Sequence, residues 1–288
     1  MNFLEYYLQI LIFTAAVPLG FGVAVYFCYR AFCSLVGCGR GKPILWFLHM
    51  ILTPVREFAH LTAAIVTFHH VSDFCLLNPY DPEGEFGFVE HSYNRKNPVA
   101  VLGNFLFAIL PAVFGLFLSG VIILACFRGV FGELSVSVAA LVEAEAGFAE
   151  YAKLSLGFFP SMFRDATGGV FAKIVGCLLL LIISLGVYVS IDDLFGAFSG
   201  MTLYAALLFA FAGITALFDA RTRRLIVTWL RTFATGLAAL YLVVLIFAAA
   251  AIALGFLVFL YRTFFGEGER VGARLPAVRE RDYDEDDD

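Results

Sequence analysis

The sequence predicts an all-α polytopic membrane protein: a transmembrane helical bundle of about six spans, with a short irregular or β-hairpin insertion after the second span. Three observations predict it. Of 288 residues, 61% are hydrophobic and 15% charged, with a mean hydropathy of +0.88, whereas a soluble domain carries roughly 25% charged residues. The apolar residues are gathered into long runs, and about 20 in succession are needed to cross hydrocarbon. Lipid offers backbone amides no partners, so runs of this length must satisfy their own hydrogen bonds as helices.

The first run covers about residues 7–32, and Pro18 with Gly20 predicts a kink in it. It is too long for a signal peptide, and no basic residue precedes it. A glycine-rich loop, residues 37–43, leads to the second run, residues 44–68. The polar stretch 69–97 contains a turn signal at 78–84, where Asn78, Pro79, Pro82 and Gly84 cluster. The third run covers 98–127. Residues 128–169 are mixed, and their acidic cluster of Glu143, Glu145 and Glu150 predicts surface or interfacial helices. The fourth run covers 170–189, a break follows, and the fifth and sixth cover 201–218 and 235–260. Residues 1–262 thus read as one transmembrane domain, and 263–288 as a polar, acidic tail predicted to be disordered.

The net charge of -5 is concentrated in that tail, and no basic patch suited to nucleic acid is present. Six cysteines, none in a C-x-x-C pair, lie mostly in or beside apolar runs, where cysteine acts as a small hydrophobe. Membrane sidedness reads inconsistently. Arg221, Arg223, Arg224 and Arg231 place the turn between the last two spans in the cytoplasm, as Arg30, Arg40 and Lys42 do for the first loop. Six spans then put Arg262, Arg270, Arg274, Arg279 and Arg281 on the opposite side.

The second run carries the chemistry. Arg56, Glu57 and His60 stand near its middle, and each ionisable group inside a membrane helix costs roughly 2.5–3.5 kcal/mol on insertion scales. Arg56 and His60, four apart, share one helix face, with Glu57 about 100° round. A buried polar site accounts for the cost; so does a structural ion pair between Arg56 and a distant carboxylate. His69 and His70 read as the interfacial end of the run. Asp192 and Asp193 open a helix, where either N-capping or ligation suits them.

The segment Thr53 to Leu61 resembles the zinc-binding helix of site-2-protease-like membrane metalloproteases, in which two histidines four apart bind zinc and an intervening glutamate activates water. Glu57 and His60 match the glutamate and second histidine, while Arg56 replaces the first. The stretch Gly87 to Asn94, then Gly103-Asn104-Phe105 and Pro111 to Gly115, looks like the following segment of a poorly characterised branch of that family. The spacing of Ser190, Asp193, Gly196 and Gly200 is similar to a later motif of that branch, and relatives carry a histidine where this chain has Gly186. The resemblance spans about residues 53–200, within a core of about 44–200.

It implies that, in an active member, Glu57 is catalytic, His60 and Asp193 bind zinc, and His91, Tyr93, Asn94 and Asn104 line a substrate groove. Arginine has no lone pair and carries a permanent cation, so Arg56 cannot ligate zinc. The expectation is therefore an inactive member without a cofactor, in which Arg56 acts as a surrogate cation for Glu57 and Asp193. It would act as a scaffold or binding protein for a transmembrane segment of another protein, in a plasma or inner membrane with lipids as its other partners. Two alternatives remain open: an active zinc protease with an atypical ligand set, and a channel or transporter using the same residues.

Overall fold

The computed structural model describes residues 2–37, 42–79, 86–143, 148–164 and 169–265. Cys38, Arg40, Glu145, most of the 78–84 turn and the acidic tail beyond residue 265 lie outside the described residues, as do Arg270, Arg274, Arg279 and Arg281. Among the described residues the regular structure is helical apart from one two-stranded sheet. Among the described residues, four helical stretches are long and apolar enough to cross a membrane: Phe3–Val36, Pro98–Cys126, Phe198–Ala216 and Ala220–Phe264. Many large apolar side chains face outward, Phe171 and Leu217 being 80% and 85% exposed, as suits a surface solvated by lipid.

Helix α1 (Phe3–Leu11) starts with a capping box between Asn2 and Glu5. It passes through a π turn, Ile12–Ala16, into α2 (Val17–Val36). The π turn ends just before Pro18, so the irregularity predicted at Pro18 and Gly20 lies one turn earlier, as a widened helix. Helix α3 (Lys42–Val66) stops earlier than the apolar run suggests. Phe68 adopts φ 60°, and the His69 amide bonds back to the Ala64 carbonyl at 2.9 Å, closing the helix with a left-handed residue. The chain then reverses into β1 (His70–Cys75) and β2 (Phe88–Ser92), an antiparallel pair with Asp73 opposite Glu90 and a register shift between Val71 and Asp73.

Helix α4 (Pro98–Cys126) runs back along α3, with Gly103 against Thr67 and Phe114 edge-on to Phe58. Residues 128–169, predicted as surface or interfacial helices, contain α5 (Arg128–Glu143) and α6 (Phe148–Arg164). Phe158 and Met162 of α6 are buried in a cluster with Phe127, Val243 and Phe247. Helix α7 (Val170–Ser184) is followed by an extended segment, a short α8 (Ile191–Gly196) and α9 (Phe198–Ala216). Helix α10 (Ala220–Phe265) continues past residue 262, the predicted edge of the domain. Asp219 opens α10, and hydrogen bonds from the Thr222 hydroxyl and amide hold its carboxyl below the usual carboxylate range.

Two packing series position everything else. Helix α10 runs parallel to α1 and α2: Val227 packs in a cluster with Tyr6, Tyr241 stacks on Phe21 at 5.3 Å, and Gly255 faces Phe32 and Val36. The chain from α7 to α9 runs steadily back along α4. Gly176 sits at Cys126 and Phe127, Val187 at Gly115, Ala197 in a cluster with Ala108, and Gly200 at Phe105.

Candidate functional site

The site forms where α3 meets the extended segment between α7 and α8. Apolar residues Gly186 to Val189 continue the α7 run in sequence, yet the helix ends at Ser184. Val187 and Val189 are fully buried because two glycines let the segment in: a Cβ on Gly22 would lie 2.6 Å from Val189 Cγ2, and one on Gly115 2.5 Å from Val187 Cγ2. The Val189 amide donates to the Gly22 carbonyl at 3.2 Å. Non-helical backbone at membrane depth is tolerated where protein buries it, as here.

Ser190 then caps α8, its hydroxyl accepting from the Asp193 amide at 3.0 Å. This cap turns the Asp193 carboxylate toward α3. Arg56 Nη2 donates to Asp193 Oδ2 at 2.7 Å and reaches Ser190 Oγ at 3.5 Å. His60 Nε2 lies 4.0 Å from Asp193 Oδ1. The Arg56 guanidinium also lies over the Tyr188 ring, 5.5 Å from its centroid. Tyr188 stacks on Tyr29 at 4.8 Å, and the Tyr29 hydroxyl is 2.8 Å from His49 Nε2.

Beside this ion pair is a cavity of about 170 Å³ lined by Tyr29, His49, Thr53, Arg56, Glu57 and Tyr188, with Phe86 and Gly87 from the hairpin connection. Gly186 lines it too, and a Cβ there would sit 2.7 Å from Leu52 Cδ2. Gly87 lets the hairpin close on α3, since its Cβ would fall 2.8 Å from both the Cys75 carbonyl oxygen and Thr53 Cγ2.

A second cluster adjoins the first through Phe107. His60 stacks on Phe107 at 4.1 Å, and Phe107 meets His91 at 4.3 Å. His91 Nδ1 is 3.0 Å from His69 Nδ1, and His69 Nε2 is 2.8 Å from the Ala100 carbonyl. A carbonyl only accepts, so His69 carries its proton on Nε2; in neutral His69 the Nδ1 then accepts from His91 Nδ1. Tyr93 stacks on His69 at 5.2 Å.

The sequence candidates therefore divide. Arg56, His60 and Asp193 meet directly, and Glu57 faces the adjoining cavity. His91 and Tyr93 belong to the second cluster. Asn104 donates to Ser199 Oγ at 3.2 Å, tying α4 to α9. Asn94 accepts from the Lys96 amide at 2.9 Å in a local turn. Tyr29, Phe107 and Tyr188 are participants the sequence did not single out.

A catalytic zinc takes three protein ligands and one open position. His60 and Asp193 offer two donors, and one of them is held by a permanent cation 2.7 Å away. Among the described residues no group of three or more His, Cys, Asp or Glu side chains is placed to hold a metal ion. This donor set does not fit that zinc centre. Compared with known proteins, the chain matches no family model, no curated protein and no solved structure.

Proposed function

We propose that this chain is a multi-pass membrane scaffold with a site-2-protease-like arrangement, in which Arg56 stands in for the metal and the cleft binds a transmembrane segment without cleaving it. The Arg56–Asp193 ion pair carries the reading. A guanidinium can satisfy a buried carboxylate as a metal would, but supplies no Lewis acid and activates no water.

The packing directions support five crossings rather than about six. The fourth and fifth apolar runs travel the same way along α4, so α7 to α9 form one crossing interrupted by the buried extended segment. The others are α1 with α2, then α3, α4 and α10. Five crossings put Arg262 and the basic residues after it on the same side as Arg30, Arg40 and Lys42. The same count puts Arg221, Arg223, Arg224 and Arg231 on the opposite side, so the positive-inside reading stays divided between the two sides.

The test is the metal content of detergent-purified protein by mass spectrometry. The expected result is no stoichiometric zinc in the wild type and uptake in Arg56→His, which restores the missing ligand. Near-stoichiometric zinc in the wild type that disappears in His60→Ala would overturn the scaffold reading in favour of an active protease.

A further inference from the structure

We infer that the outward face at the start of α10 holds an anionic phospholipid, with Arg221 and Arg224 on its phosphate and Leu225, Trp229 and Phe233 along its acyl chains. The inference goes beyond the scaffold reading and does not depend on it.

The helix lays out charge and apolar surface in the order such a lipid needs. Arg221, Arg224, Leu225, Thr228 and Trp229 are exposed, while Val227 and Leu230 pack in a cluster with Tyr6 and Ala212. Spacings of three and four put the exposed set on one face. Leu225, Trp229 and Phe233, 53%, 74% and 64% exposed, form an apolar stripe along it. Arg224 precedes Trp229 by five residues, about 8 Å of helix. A phosphate at the arginines therefore leaves the acyl chains beside the ring.

Depth agrees with this order. Tyr241 stacks on Phe21, near the middle of the apolar stretch Phe3–Val36. Trp229 stands twelve residues before Tyr241, about 18 Å along the axis. That is the edge of a hydrocarbon layer about 30 Å thick. Tryptophan is favoured at this level, and arginines just outside it meet phosphate oxygens, which a guanidinium binds through paired donors.

The local charge selects an anionic headgroup. Arg221, Arg223 and Arg224 stand against Asp219, whose carboxyl accepts from the Thr222 hydroxyl and amide. On the neighbouring α1, Glu5 is engaged with Asn2. A zwitterionic headgroup would bring a further cation to this cluster, and an anionic one does not.

Trp46 and Trp229 are the two tryptophans, so Trp46→Phe leaves Trp229 as a fluorescent reporter at the site. The full chain is placed in phosphatidylcholine vesicles with a small fraction of lipid brominated on the upper acyl chain, either phosphatidylglycerol or phosphatidylcholine. Brominated phosphatidylglycerol should quench Trp229 as though enriched about fivefold around it. Arg221→Gln with Arg224→Gln should reduce that quenching to the phosphatidylcholine level, while Arg262→Gln, at the far end of α10, should leave the difference intact. Soluble glycerophosphate at matched ionic strength should not compete, because it lacks the chains that the apolar stripe holds. Equal quenching by the two brominated lipids would overturn the inference, as would a preference that survives the double arginine variant. Quenching by neither lipid would place Trp229 away from acyl chains and overturn it as well.

Discussion

Arg56 and Asp193 are 137 residues apart in sequence and 2.7 Å apart in space, with side chains 30% and 14% exposed. Removing one partner of a buried pair costs about 3–5 kcal/mol, because the other charge is stranded. Partial exposure places Arg56→Ala at or below the low end, at about 2–3 kcal/mol. Replacing both partners with apolar residues, Arg56→Met with Asp193→Leu, should recover most of that loss. A double-mutant cycle on detergent unfolding reads the coupling directly. An unchanged midpoint in Arg56→Ala would mean the pair does not support the fold. At this scale the sequence was legible where it broke its own rule: three ionisable residues in an apolar run stand out. Tyr188 and Phe107 did not, because among 12 tyrosines and 33 phenylalanines an aromatic residue carries no signal of its own.

Helices and hairpin meet through glycines, and two of these separate packing from conformational preference. Gly87→Ala pushes a methyl onto the Cys75 carbonyl and Thr53, so β2 must lift from α3. The expected cost is about 1–3 kcal/mol, with faster hydrogen exchange at the amides of residues 88–92. Gly20, inside α2, has nothing within 4 Å of its would-be Cβ, so Gly20→Ala should stabilise by about 0.5–1 kcal/mol. If both variants behaved alike, the close approach of hairpin and helix would be wrong. Most helices were readable from apolar run length. The break after Ser184 was not, since Gly186 to Val189 is as apolar as the helix before it. Only Gly22 and Gly115, far away in sequence, make room for the extended backbone, and a single sequence does not show that they face it.

At the scale of the whole molecule, the parallel course of α1–α2 and α10 is the observation on which the proposed five crossings rest. It places the start of α1 and the turn at Asp219 at the same end, and Gly37 at the other. Single cysteines at Asn2, Gly37 and Asp219, in a background without the native cysteines, report this through a membrane-impermeant maleimide. Asn2 and Asp219 should label from one side and Gly37 from the other. Labelling of Asn2 and Asp219 from opposite sides would restore the six-span count. Hydropathy exposed the number of apolar runs but not their directions, which depend on which run packs against which.

The π turn at Ile12–Ala16 gives the chain one place where its length is adjustable. Its backbone bonds close over five residues, as in the Val17 amide to the Ile12 carbonyl, so it holds one residue more than a regular turn. Deleting a single residue there would let α1 and α2 merge into an uninterrupted α-helix, but would turn α1 by about 100° against α2. Tyr6, whose hydroxyl now donates to Thr215 at 2.9 Å, would swing away from α9. That extra residue sets the phase between the first helical segment and the rest of the bundle, so a one-codon deletion here acts as a rotation and not as a shortening.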